Sequence, residues 1–141
     1  MAIDWEEANA ACEHLSAAQD DLARAIVTQV AEKWTLWTLA VLAAAGQPLR
    51  FSRVMEQVEG VSQKSLTKTL RQLEQNGLAT RTVFAEVPPR VEYQITALGI
   101  ALLEQVHPVW MWAVENLPAF EAARRKYGKT GNREQGTGNR E

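Results

Sequence analysis

The spacing of apolar positions divides the chain into helices interrupted once by a pair of strands. In the stretch SQKSLTKTLRQLEQNG, Ser62 to Gly77, residues Leu66, Leu70 and Leu73 share one helical face, with Val61 just ahead of them. The opposite face carries Lys64, Lys68, Arg71 and Gln75, flanked by Ser65, Thr67 and Gln72, and no acidic residue is among them. Ser62 suits the N-cap, where its hydroxyl accepts from an orphaned backbone N–H, and Asn76-Gly77 supplies the left-handed residue that ends a helix. A cationic stripe alone is the ordinary solvated face of a surface helix, so its meaning rests on what surrounds it.

Upstream, Trp5, Ala8, Cys12 and Leu15 fall at helical spacing and predict a first helix from about Asp4 to Leu15. Ser16 and Gln19 form a capping-box pair ahead of Leu22, Ile26 and Val30, which starts a second. WTLWTLAVLAAAG, from Trp34, is apolar nearly all round and predicts a central buried helix ended by Gly46, with Trp34 and Trp37 in the core. Gly46 and Pro48 break the helix, and Leu49 to Phe51 form either a short strand or an extended link. SRVMEQVEG then reads as a short helix from Ser52, with Val54, Met55 and Val58 inward and Gly60 closing it. Two short helices joined by a tight Gly-containing turn are the mark of a helix-turn-helix, whose second helix enters the DNA major groove.

Downstream, LATRTVFAEV and RVEYQI have strand-like alternation, with Pro88-Pro89 between them. A hairpin directly after a recognition helix is a wing, and Arg90 at its tip suits a phosphate or the minor groove. Thr96 can cap a long helix, LGIALLEQVHPVWMWAVENL, kinked at Pro108. That helix is apolar on too many sides for one small domain to cover, so a homodimer is expected on it and on the N-terminal helices. The expected interface residues are Trp5, Cys12, Leu102, Val106, Val109, Trp110, Ala113 and Leu117. The fold class is therefore mainly α with a small β-hairpin (α+β): a winged helix-turn-helix with N- and C-terminal dimerisation helices. It occupies residues 1–127 as one domain; residues 128–141, with two GNRE copies and no apolar residue, are expected to be a disordered tail.

Length and charge sharpen this picture. A chain of 141 residues that is 46% hydrophobic suits one domain with a real core. The single cysteine excludes an intrachain disulfide, and MAIDWEEANA lacks the cationic start and apolar run of a secretory signal, so the cytoplasm is the expected compartment. The most apolar run, Leu36 to Ala45, is far shorter than the ~20 residues of a bilayer span, and no membrane segment is expected. The net charge is only −2, but it is segregated: residues 1–32 hold one base against seven acids, and residues 50–92 hold seven bases against five acids. The basic surplus surrounds the Ser62 helix.

Catalytic and metal chemistry find little support. His14 and His107 lie in different helices, no nucleophile-base or phosphate-loop spacing occurs, and Cys12 and His14, two apart, are poorly placed as ligands on one helical face. The chain is not expected to be an enzyme, and no catalytic residue, metal site or cofactor is assigned. One rival reading is a sensor regulator of the same fold, either redox-responsive through Cys12 or one in which Trp5, Trp34, Trp37, Trp110 and Trp112 line an apolar cavity for an aromatic small-molecule effector, between the DNA-binding part and the dimer helices. Another is a winged-helix protein-interaction module without DNA contact, against which the cationic helix face and the arginine wing argue.

Several segments together resemble the HxlR-type regulators, bacterial winged-helix transcription factors related to the MarR group. They are EKWTLWTLAVL, PLRFSRVMEQVEGVSQKSLTKTLRQLEQNGL, the wing text EVPPRVEYQIT and ALG…HPVW, covering about Val30 to Val114 without an internal gap. The resemblance implies a dimeric repressor or activator on a two-fold symmetric double-stranded DNA operator. Carried over, it places Ser62, Gln63, Lys64, Thr67, Lys68 and Arg71 at groove-facing positions, Pro88, Pro89 and Arg90 in the wing, and Arg50 and Arg53 at backbone contacts. Two departures stand out. Redox-sensing members carry Cys-Pro thirteen residues before the KW tryptophan, where this chain has Asp21-Leu22, and a carboxylate cannot form a mixed disulfide. Cys12 lies nine residues further upstream, and Ala31-Glu32 stand where the family usually has Gly-Gly.

Overall fold

The caps expected at Ser62, at Ser16 with Gln19, and at Gly46 are present in the computed structural model, which describes residues 2–137, whereas the short helix Phe51–Gln57 closes at Val58, ahead of the expected Gly60. Asp4 caps α1 (Trp5–Glu13), its carboxylate accepting from the backbone N–H groups of Glu6 and Glu7. Ser16 and Gln19 form a reciprocal capping box at the start of α2 (Ala17–Val30). α3 (Thr35–Ala45) ends at Gly46, whose φ of 63° is open to glycine without penalty. After β1 (Leu49–Arg50) come α4 (Phe51–Gln57) and α5 (Gln63–Gln75), then β2 (Ala79–Phe84) and β3 (Arg90–Ile95), and finally α6 (Ala97–Glu115) and α7 (Leu117–Thr137).

Of Leu49 to Phe51, left open between strand and extended link, Leu49–Arg50 is a strand and Phe51 starts α4: β1 pairs antiparallel with β3, which also pairs with β2, giving the order β1-β3-β2. By its contacts the chain falls into two compact units, Met1–Leu103 and Glu104–Glu141.

In the first unit, Leu39 and Leu42 of α3, Val54 and Val58 at α4, and Leu66, Leu70 and Leu73 of α5 make the core, each at 3% exposure or less. α3 is covered on one side only. Thr35, Thr38, Leu39 and Leu42 are buried, but Trp37 is 49% exposed, which corrects its assignment to the core; Trp34 is partly buried against it. All-round apolarity did not reveal which side of α3 the rest of the unit leaves bare.

α5 closes in a Schellman arrangement: Leu78 N–H donates to the Leu73 carbonyl at 2.9 Å and Gly77 N–H to the Glu74 carbonyl at 3.0 Å, with Gly77 at φ 72°. Thr96 then ties this turn to α6. Its hydroxyl donates to the Gly77 carbonyl and accepts from Gly99 N–H, while its own N–H donates to the Leu78 carbonyl. Gly99 is required here, because a Cβ would meet that same carbonyl oxygen and stand 2.7 Å from Ile95 Cγ1.

α6 runs on through Pro108 to Glu115. It is long and apolar enough to cross a membrane by length and composition, but Leu102 and Leu103 near its start pack on the core of the first unit. Leu102 thus has a place in its own chain's core as well as in the expected dimer interface. In the second unit Trp112 and Phe120 meet edge to face, with ring centroids 5.6 Å apart. The α7 backbone is helical to Thr137, where disorder was expected from residue 128; strong helix formers from Glu121 to Lys126 lead into it. The last four residues of the expected tail lie outside the described residues.

Candidate nucleic-acid interface

The two faces of α5 separate by chemistry. Leu66, Leu70 and Leu73 anchor one face, so rotation about the helix axis is fixed and Lys64, Lys68 and Arg71 stand in solvent on the other. Gln63, Lys64, Thr67, Lys68, Arg71, Gln72 and Gln75 line a shallow concavity of about 690 Å³ on that outward face. Ser62 has a structural duty as well: its Oγ accepts from the Ser65 N–H at 3.1 Å and donates to Ser65 Oγ at 3.0 Å. Thr67 donates its hydroxyl to the Gln63 carbonyl at 2.8 Å. At the far end Asn76 hydrogen-bonds the buried Gln29 side chain, pinning the helix terminus to α2.

The cations around this face sort into held and unheld. Arg53 Nη1 pairs with Glu56 at 3.1 Å on the surface. Arg90 is held from three sides: Nη2 lies 3.4 Å from Glu86, Nε lies 3.4 Å from Glu92, and Cζ lies 4.1 Å from the centroid of Phe84. Its side chain is 28% exposed. The register that pairs Phe84 with Arg90 brings these groups together. By contrast, among the described residues no ion pair engages Arg50, Lys64, Lys68, Arg71 or Arg81.

Two further recesses flank the helix. One, of about 470 Å³, lies between the wing tip and the start of α4 and brings Arg50 and Ser52 beside Pro88, Pro89 and Arg90. The other, of about 460 Å³, lies between α5 and the sheet and is lined by Phe51, Gln63, Thr67, Arg71, Glu74, Arg81, Val91 and Tyr93. The structure thus groups Gln63, Lys64, Thr67, Lys68 and Arg71 on one surface and Arg50 with the wing on an adjoining one. Arg81 is the residue that sequence reading counted as a base without placing it at the site. Its strand alternation with buried Ala79 was the available signal.

The remaining expectations fare differently. Trp34 and Trp37 line a recess of about 670 Å³ with Ala40, Val41, Ala44, Gln57, Val58 and Glu59. Cys12 and Trp5, expected at a dimer interface, are exposed on α1 of the single chain, Trp5 at 67%. Among the described residues no group of three or more His, Cys, Asp or Glu side chains is placed to hold a metal ion.

Comparison with known proteins meets this geometry. The model of a family described as HxlR-like helix-turn-helix matches residues 29–121. A relative from Escherichia coli strain K12, named as the uncharacterized HTH-type transcriptional regulator YtfH, is 36% identical over 101 residues, covering 72% of this chain and 79% of that protein. The solved structure of YtfH from Salmonella typhimurium is similar at a TM-score of 0.63 and 34% identity, over 73% of this chain and 90% of the other. Diamide-treated YodB from Bacillus subtilis gives a TM-score of 0.57 at 27% identity, over 73% and 96%.

Proposed function

Because the chain belongs to the HxlR-like helix-turn-helix family and is a DNA-binding transcriptional regulator, we propose that it acts in the cytoplasm as a homodimer on a two-fold symmetric operator. α5 enters the major groove, and Gln63, Lys64, Thr67, Lys68 and Arg71 face the bases and their flanking phosphates. Arg50, Ser62 and the Pro88–Arg90 wing position the duplex. One observation carries this reading: the outward face of α5 is polar and cationic from end to end, and its lysines and Arg71 are engaged in no ion pair among the described residues.

The test is binding of the full chain to double-stranded DNA as salt is raised. Each phosphate neutralised contributes a slope of about −0.9 in log affinity against log salt, so several contacts give a loss of roughly 10³ or more between 50 and 200 mM. A flat response would return the chain to the class of protein-interaction modules. Lys64→Ala, in a selection from random duplexes, is expected to change which sequences are preferred, since a lysine at a base edge is worth about 1–3 kcal/mol of discrimination.

A further inference from the structure

Arg81 lies on β2, outside the helix-turn-helix itself. Alternation along the strand puts it on the side of Ala79, which is 2% exposed and packed in the core, so Arg81 leaves the sheet on its helix-facing side, just past the core edge. Its register partner on β3 is Tyr93, a partly buried residue packed against the same core. A short recess therefore runs between sheet and helix, with Arg81 on one wall and Arg71 and Thr67 on the other.

Arg71 and Thr67 also line the outward face of α5. They form the rim between the surface that meets the groove floor and the recess beside it. A helix of 10–12 Å diameter fills a major groove about 12 Å wide, so the phosphate strands that wall the groove lie directly along the flanks of the helix. On the sheet flank of α5, that strand falls over the recess.

Resting on the reading of α5 as a groove-entering helix, we infer that Arg81 and Arg71 form a backbone clamp that seats a DNA phosphate between recognition helix and sheet. Two guanidinium groups converging on one phosphate give charge-assisted bonds without base readout, so the clamp sets the depth and register of α5 and leaves sequence preference to the outward face. Glu74 lines the same recess and opposes an incoming phosphate. No ion pair joins Glu74 to Arg81 among the described residues, so the carboxylate moderates the clamp by repulsion instead of closing it.

The full chain and its variants are titrated, by fluorescence anisotropy, against a mixed-sequence duplex of about 30 base pairs, roughly three helical turns. Arg81→Ala is expected to weaken binding about tenfold and to make the log-log salt slope shallower by about 0.9, the contribution of one phosphate. Arg81→Lys restores most of the slope. Glu74→Gln tightens binding two- to fivefold at low salt, with the effect fading as salt screens it. The order of preferred sequences in a selection stays as in the parent chain. Arg81 is exposed, so circular dichroism melts of the variants coincide with the parent and separate a binding loss from a folding loss. A parent chain whose binding is steeply salt-dependent, with Arg81→Ala matching it in slope and affinity, overturns the clamp alone. A parent chain with no salt-dependent binding overturns the groove-entering reading beneath it.

Discussion

Arg90 shows how a residue's chemistry depends on what the hairpin brings to it. Its guanidinium stacks over Phe84 and faces Glu86 and Glu92 at 3.4 Å each. An exposed ion pair is worth about 0–1 kcal/mol and a cation–π contact about 0.5–1 kcal/mol at exposed sites, so the set holds the tip modestly, by shape as much as by charge. A lysine keeps the charge but loses the planar fork that reaches two carboxylates while lying flat on a ring. Arg90→Lys is therefore expected to loosen the wing nearly as much as Arg90→Ala, with faster amide exchange over residues 84–90 and several-fold weaker DNA binding in both. Full DNA affinity in Arg90→Lys, beside a weak Arg90→Ala, would mean that Arg90 acts as a point charge on DNA and not as a strut. The sequence placed Arg90 at the turn but could not show the carboxylates converging on it, because that follows from the register that pairs Phe84 with Arg90 and leaves five residues in the tip.

At the scale of elements, the parts legible in sequence are those governed by local rules. Ser62 and the Ser16–Gln19 pair each announce a helix start because the cap is a property of three or four neighbouring residues. The cationic face of α5 was equally legible, since three leucines fix its opposite side. What escaped depended on distant packing: the bare side of α3 with Trp37, and the flank position of Arg81, which needs the sheet beside α5 to acquire meaning. α7 was missed as a separate helix, although Asn116-Leu117-Pro118 carries a start signal: the Asn116 carbonyl accepts from the N–H groups of Ala119 and Phe120. The caps also give a quantitative expectation. Ser62→Ala leaves the Ser65 N–H without its side-chain partner and is expected to cost about 1 kcal/mol, lowering the melting temperature by roughly 4–8 °C for a unit of this size. The measurement is a denaturant titration without DNA, with the midpoint falling and the slope unchanged. An unmoved midpoint would show that leucine packing alone holds the first turn of α5.

For the whole molecule, the question is what covers the second unit. The described part of the second unit is built from the end of α6 and from α7, and Val109, Trp110, Met111, Trp112, Val114 and Leu117 are each at least 41% exposed. Fully burying one such side chain contributes about 1.5–3 kcal/mol, so six left about half exposed forgo several kcal/mol, on the order of the stability of a small domain. In the proposed homodimer a second copy of the same helices would cover it with an isologous contact, and two-fold symmetry would then present two α5 helices to successive major-groove faces of an operator. The full chain is accordingly expected to sediment at twice its 15.7 kDa mass at micromolar concentration. Val109→Asp places a carboxylate where the symmetric contact excludes water, and an unpaired buried charge costs several kcal/mol, enough to raise the dissociation constant at least a hundredfold. The variant should therefore sediment as monomer and lose preference for symmetric over single half-sites, while its first unit, whose core draws nothing from Val109, keeps its DNA salt slope per half-site. A parent chain that stays monomeric at those concentrations would remove the symmetric operator from the picture and leave the face of α6 to some other partner.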